Sequence, residues 1–401
     1  MIIELLQFIE FVLHGTPRLL FIFFFINLFF FVCVWFYARG YRPLGHNHPY
    51  MGRRNHVVSV VIPTWREEPA WLEVSILSAL WARADEVIVC YTKGDRSAEE
   101  VVSKFEGRIS TIVFNSRVAK KVAVYEAFKR AKGDIFCVLD SDTFIEENAI
   151  NEVCRAFDAD PRVGGVVALN NIFNKDHFAG RLSSLIEASR NTLNKALSVL
   201  GNVHVLDSRF CAYRRKAALP LLDEYLNNRF LGRDVVIGED KQMTYLLQRA
   251  GWKCIIQASA VDYTAAPENM AGFLKQQLRW ARSGWMYFFR HRASLRLNWL
   301  LTFHILLYFL NPIVFPIIVF YDLFLAPPLL LLDATLLSFV AIVAIIVTGI
   351  SLITLLRDKI MKLGIRLRDV PTVGLFGLFV LLPLMHYALV TIWKQGSWIS
   401  R

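Results

Sequence analysis

Residues 17–38 read PRLLFIFFFINLFFFVCVWFYA, with no charge after Arg18. A helix over this run is about 30 Å long, the thickness of a bilayer's hydrocarbon core. In lipid, backbone amides are satisfied only inside helices or closed barrels, so the run restricts the start of the chain to a helix. Arg39, Arg42, Arg53 and Arg54 follow it. Positive charge collects on the cytosolic side of a span, so the next segment is expected there. Residues 1–14 place Glu4 and Glu10 among apolar residues and suit an interfacial helix or an extension of the span. The run is too long for a cleavable leader, basic residues follow it, and no small-residue cleavage site is present.

Two further apolar stretches, 298–325 and 329–356, read as spans. Pro312 and Pro316 are expected to kink the first, and Pro327–Pro328 marks the turn between them. Residues 357–368 hold Arg357, Lys359, Lys362, Arg366 and Arg368, a loop placed in the cytosol by the same charge rule. Residues 371–393 are apolar again, interrupted by glycines and Pro383, and either span once or dip in and return. The chain thus divides into an N-terminal membrane helix (1–42), a cytosolic domain (55–291), two spans (298–356) and a C-terminal region (357–401).

Composition agrees with that division. At 55% hydrophobic the chain is too apolar for a soluble protein, and at 20% charged it is not all membrane. A soluble domain of roughly 250 residues plus a few spans fits. The net charge of +11 sits in residues flanking the apolar stretches. A lipid bilayer, rather than nucleic acid, is therefore the expected partner. None of the six cysteines forms a CxxC pair, and most lie in apolar runs, as buried free thiols do.

Within 55–291 the pattern is α/β. Residues 57–63 (VVSVVIP), 86–90 (EVIVC), 109–114 (ISTIVF) and 135–139 (IFCVL) are short β-branched runs. Helical segments at 69–82 and 119–132 separate them. Such alternation predicts a parallel sheet covered on both faces. Ligands of that architecture sit beyond the carboxyl ends of the strands, here the loops after Pro63, Cys90 and Leu139. Two long amphipathic segments, 178–200 and 269–291, each have a pattern that can lie against a bilayer.

Four motifs carry chemistry. Asp140-Ser141-Asp142 follows directly on strand 135–139, where two carboxylates can hold a divalent cation; a solvated turn makes the same pattern. Lys120 and Lys121 precede a helix on the same side and either contact phosphate or form a solvated pair. Gly238-Glu239-Asp240 opens a helix over 241–250, where the acids first suggest a cap and second a general base. In Gln276-Gln277-Leu278-Arg279-Trp280, helical spacing puts Gln276 and Trp280 on one face with Arg279 beside them. That face suits sugar stacking or anchoring at a membrane interface.

Taken in order, these pieces resemble the processive family 2 glycosyltransferases, especially hyaluronan and chitin synthases. The matching segments are VSVVIPTWREEP (58–69), KKVAVYEAF (120–128), VLDSDT (138–143), GED (238–240), QQLRWARS (276–283), YALVTI (387–392) and WISR (398–401). The resemblance implies a GT-A, Rossmann-like α/β domain in the cytosol, joined to an α-helical transmembrane region with interfacial helices. It implies a UDP-sugar donor, a growing polysaccharide acceptor and inversion at the anomeric carbon, in the plasma membrane. On this likeness Asp142 binds Mg2+ or Mn2+, and Asp140 assists with metal and nucleotide. Asp240 becomes the base, with Glu239 beside it in the substrate site. Gln276, Arg279 and Trp280 hold the diphosphate and acceptor sugar. Pro63, Thr64 and Glu67 meet the nucleoside, and Lys120 and Lys121 the diphosphate side. Trp398 and Arg401 form a gating tail, which makes 371–393 re-entrant or interfacial.

Several places depart from the family pattern. The loop Tyr91-Thr92-Lys93-Gly94-Asp95 lacks the usual acid before its glycine, and Asp207-Ser208-Arg209-Phe210-Cys211 stands where hyaluronan synthases carry Ser-Gly-Pro. Ile399 replaces a glycine, and one N-terminal span is clear where those enzymes have two. His304, Tyr308 and Asn311 in the second span either line a polymer channel or join helices. A single-addition transferase using a lipid-linked acceptor and a silent membrane scaffold are the competing readings.

Overall fold

The computed structural model describes residues 18–45, 55–291, 298–320 and 376–394. The expected third span of 329–356, the basic loop 357–368, residues 1–14, and Trp398 and Arg401 lie outside the described residues.

Helix α1 (Arg18–Gly40) carries the first apolar run. The domain opens with β1 (Val58–Pro63), α2 (Pro69–Trp81), β2 (Glu86–Thr92), α3 (Arg96–Ser103), β3 (Ser110–Phe114), α4 (Lys120–Arg130) and β4 (Ile135–Leu139). These four strands are parallel in the order β3-β2-β1-β4. Every residue of β1 and β4 is buried, as β-branched runs covered on both faces should be. Alternation along β1 sorts the core in two. Val60 and Ile62 pack with Leu72 and Ile76 of α2, while Val61 packs with Phe128 of α4 and Phe136 of β4.

The sheet then departs from the all-parallel expectation. The chain continues through β5 (Thr143–Ile145), α5 (Ala149–Ala159), β6 (Val163–Ile172), α6 (Phe178–Val199) and β7 (Phe210–Arg214). Strand β7 inserts between β4 and β6, antiparallel to both. It begins at the ligand edge, pairing Phe210 with Leu139, and the amide of Asp140 donates to Arg209 O at 3.0 Å. An antiparallel neighbour enters where its parallel partner ends, so residues 207–209 arrive beside the Asp140 loop. Two short helices, α7 (Arg215–Ala218) and α8 (Leu222–Leu226), lead to a hairpin, β8 (Arg229–Phe230) and β9 (Arg233–Asp234). Then come α9 (Glu239–Arg249) and β10 (Lys253–Thr264), completing an eight-stranded mixed sheet ordered β3-β2-β1-β4-β7-β6-β10-β5.

Helices α10 (Met270–His291), α11 (Trp299–Phe320) and α12 (Leu382–Val390) follow. Two described helices, over Ile22–Gly40 and Trp299–Ile318, are long and apolar enough to cross a membrane. They run antiparallel. Tyr37 meets Trp299 at 6.0 Å, Phe30 meets Phe303 at 5.6 Å and Phe23 meets Phe315 at 5.3 Å between ring centroids. Midway, Asn311 Nδ2 donates to Asn27 Oδ1 at 2.7 Å, so Asn311 serves as helix-to-helix glue. Helix α11 continues through Pro312 and Pro316. The apolar stretch Phe379–Val390 falls short of the length of a span and packs on α10, where Trp285 Nε1 donates to Met385 O at 3.0 Å.

Helix α6 packs part of its apolar face on protein: Ala196 and Leu197 meet Phe30 and Val34 of α1. The end of α1 is tied to the sheet. Tyr41 Oη donates to Ile256 O at 2.9 Å and accepts from Ala258 N at 3.0 Å. Gln257 makes a reciprocal pair of hydrogen bonds with the backbone of Leu44, accepting from its amide and donating to its carbonyl at 3.0 Å each. The six cysteines are free, five of them buried.

Replacing either Asn27 or Asn311 by Leu removes the bond between them; without Asn311, Asn27 keeps its donation to Phe23 O at 2.9 Å and its Oδ1 loses the Asn311 donor. Each single substitution is expected to lower the melting temperature in detergent, and the double variant to lose less than the sum. The coupling should be about 0.6–2 kcal/mol; strictly additive losses would show that the bond contributes nothing.

Candidate active site

The loop after β4 is held from two sides. Ser75 Oγ of α2 donates to Ser141 O at 2.9 Å, and Ser141 Oγ donates to Glu67 Oε2 at 3.1 Å. Glu67, in the loop after β1, therefore braces the Asp140-Ser141-Asp142 turn. Asp142 is half-buried at the mouth, accepting from Thr143 Oγ1 at 3.3 Å.

Lys120 is the first residue of α4, where the positive end of the helix dipole disfavours a cation. It is also buried, at 4% exposure. Its ammonium is tolerated because it ion-pairs with Asp140, lies 3.3 Å from Glu239 Oε1 and donates to Ser208 Oγ at 2.7 Å. Burial opposes the charge on Lys120, but the two carboxylates outweigh it and hold the ammonium above its ordinary range. Burial pushes Asp140 up to about 7 in spite of Lys120, with Asp142 and Glu239 adding to the rise. Lys121 takes no part in this cluster: its Nζ donates to Leu226 O at 3.0 Å.

A cleft opens beside this cluster between the loops after β1, β2 and β3. Pro63, Thr64, Trp65, Tyr91, Thr92, Phe114 and Lys120 are among its lining residues. The Thr64 amide donates to Cys90 O at 2.8 Å, while its buried hydroxyl makes no hydrogen bond among the described residues. Arg66 and Arg117 lie over the Trp65 ring at 5.1 and 5.0 Å. Asp95 is structural: it caps α3 through Ala98 N at 3.3 Å and accepts from Arg66 N at 2.7 Å.

Helix α9 supplies the opposite wall. Its cap is Gly238, at φ 74°, and the cap makes no side-chain hydrogen bond. A Cβ at Gly238 would approach the Tyr287 ring to 2.9 Å and Ser283 Cβ to 3.0 Å, so position and backbone both favour glycine. Burial, reinforced by Glu239, pushes Asp240 up to about 6. Lys241 Nζ donates to Ser283 Oγ at 2.6 Å and Trp280 O at 3.2 Å, and burial pulls it down to about 8. Lys241 thereby joins the Asp240 helix to α10. On α10, Gln276, Arg279 and Trp280 are half-buried, and the guanidinium carbons of Arg190 and Arg209 lie 5.4 and 5.5 Å from the Trp280 ring centroid.

The structure therefore gathers Thr64, Glu67, Lys120, Asp140, Asp142, Glu239, Asp240 and Trp280 along one edge. Sequence reasoning missed Ser141, Arg190, Ser208, Arg209 and Lys241. Ser208 and Arg209 stood in a segment noted only as a departure, and Lys241 directly follows the acid pair. Among the described residues, no group of three His, Cys, Asp or Glu side chains forms a metal cage. Asp140 and Asp142 are hard oxygen donors, and such a pair suits a Mg2+-like ion that keeps water and shares a diphosphate.

Comparison with known proteins agrees with this geometry. Residues 55–283 match the model of the family described as glycosyltransferase like family 2. An N-acetylglucosaminyltransferase of Azorhizobium caulinodans is 29% identical over 86% of this chain and 87% of its own length. A hyaluronan synthase of Streptococcus pyogenes is 28% identical over 88% of this chain and 85% of its own. A mannosyltransferase of Pyrobaculum calidifontis, solved with GDP-Man and Mn2+, superposes with a TM-score of 0.61 at 16% identity, covering 91% of this chain and 96% of that one. The last shows a shared GT-A fold.

Lys120→Met would leave Asp140 and Glu239 facing each other without a cation. A loss of about 3 kcal/mol is expected, the low end for a broken buried pair because Asp140 keeps some access to water. Denaturant titration measures it; an unchanged midpoint would mean that the cluster carries no such burden.

Proposed function

The chain belongs to the family 2 glycosyltransferases, and from that premise we propose that it is a membrane-embedded inverting enzyme extending a β-linked polysaccharide from a UDP-sugar. The observation carrying this reading is the placement of Asp240, a buried carboxyl held near the physiological range, across the edge from the Lys120–Asp140 cluster.

The cleft beside β1–β3 suits the nucleoside, with Pro63, Thr64 and Glu67 at its mouth. Lys120 lies where it can meet the diphosphate. Asp142, with Asp140, would hold Mg2+ or Mn2+, which when bound offsets charge on the departing diphosphate. An acceptor hydroxyl directed at Asp240 gives up its proton to that carboxylate as its oxygen attacks the anomeric carbon and the UDP oxygen leaves. Trp280 offers a face for the acceptor sugar, with Gln276 and Arg279 alongside. The two apolar helices, with Arg39 and Arg42 beyond the first, support a cytosolic catalytic domain on the plasma membrane. Resemblance of QQLRW and WISR to processive enzymes supports repeated addition coupled to export.

Purified enzyme in detergent with Mn2+, given UDP-N-acetylglucosamine alone and then paired with other UDP-sugars, should release UDP and form a high-molecular-weight product. Short product would point to single addition on another acceptor, and no UDP release with any donor to a silent homologue. Asp240→Asn should abolish transfer while UDP–Mn2+ binding by calorimetry stays within about twofold; near-normal turnover would remove Asp240 as the base. A base must be ionised to act, so kcat/KM should be full above the Asp240 pKa of about 6 and fall as pH drops through it, tending to tenfold per unit. A flat profile between pH 5 and 7, tested over roughly that window, would contradict the assignment.

A further inference from the structure

Four charged side chains outside the reacting groups form a closed ring. Glu187 and Arg190 come from α6, and Asp207 and Arg209 from the segment entering β7. Arg190 donates to Asp207 Oδ2 at 2.7 Å and to Glu187 Oε1 at 3.1 Å. Arg209 meets Glu187 through both terminal nitrogens, at 2.7 and 2.8 Å, and its backbone amide donates to Asp207 Oδ1 at 3.3 Å. Glu187 and Arg209 are almost wholly buried, at 3% and 9% side-chain exposure.

Burying four charges is a poor route to stability, since apolar residues of the same volume usually serve as well. What the ring does do is hold two guanidinium groups over one indole, the Trp280 ring. Guanidinium is suited to this: its edge bonds carboxylates while its face lies against an aromatic ring. The same short segment also reaches the other half of the site. Ser208, between Asp207 and Arg209, accepts from Lys120 Nζ at 2.7 Å and donates to Glu239 Oε1 at 3.4 Å. Arg209 O accepts the Asp140 amide at 3.0 Å.

We propose that Arg190 and Arg209 are positioning residues that mount the Trp280 ring, and that residues 207–209 register this acceptor platform against the donor-side Lys120–Asp140 cluster. The proposal rests on the reading above that Trp280 meets the acceptor sugar.

Arg209→Lys keeps the charge and loses the plane. With a β-linked N-acetylglucosamine oligomer as acceptor probe, its acceptor KM should rise about tenfold. Donor KM and acceptor-independent UDP release should remain within about twofold, and the melting temperature should hold. Arg190→Lys should act in the same direction. In a Trp280→Leu background, Arg209→Lys should have no further effect on acceptor KM, because the ring it mounts is gone. Independent, additive effects would overturn the proposal, as would donor and acceptor constants moving together. If Trp280→Leu raises acceptor KM and Arg209→Lys does not, only the mount fails. If Trp280→Leu leaves acceptor KM unchanged, the mount fails together with the assignment of Trp280.

Discussion

A buried ammonium cannot stand without anions, and most of the site follows from that rule applied to Lys120. Its partners, Asp140 and Glu239, are remote from it and from each other in sequence. Bringing them together requires β4 to end beside α4 and α9 to open above both. Ser208 then reaches the same nitrogen only because β7 runs antiparallel to β4 and delivers its first residues to the ligand edge. Fold and site are thus one constraint. A sheet that remained parallel throughout would place no strand start there, and Lys120 would lose a neutral partner.

The sequence was most legible where periodicity and burial agree. Strands β1 and β4 are buried on both faces, and the helices between the first four strands begin within a residue or two of the expected positions. It was least legible where one signal served two masters. In α6 part of an amphipathic stripe meets α1, and a single sequence does not distinguish an apolar helix from a bilayer as the covering surface. Strands β6, β7 and β10 were not anticipated. Their stretches mix glycine, asparagine and tyrosine with apolar residues, and long-range pairing overrides so weak a local pattern. The Lys120–Lys121 pair shows the limit at the site. Adjacent residues on a helix point about 100° apart, so only one of two identical side chains can face the cluster.

The acid pair at the head of α9 sits in the first turn, where its charge favours the helix dipole, and the cap itself is Gly238. Asp240 also lies beside Glu239, Lys241 and the α10 helix. A carboxyl raised by burial toward neutrality suits the work of a base better than that of a solvated surface acid. Kinship with the family 2 glycosyltransferases agrees with this arrangement, and a mannosyltransferase at 16% identity shares the fold.

The joint between α1 and β10 has a mechanical consequence. Tyr41 and Gln257 fasten the end of an apolar helix to the sheet by four hydrogen bonds spread over a few residues, leaving little room for a swivel. A helix inserted in lipid adapts to bilayer thickness by tilting. With a stiff joint, that tilt is transmitted to the whole sheet instead of being absorbed in a linker. If α1 lies in lipid, as proposed above, hydrophobic mismatch would act as a lever on the attitude of the candidate catalytic edge, and lipid chain length would be a physical input to the reaction.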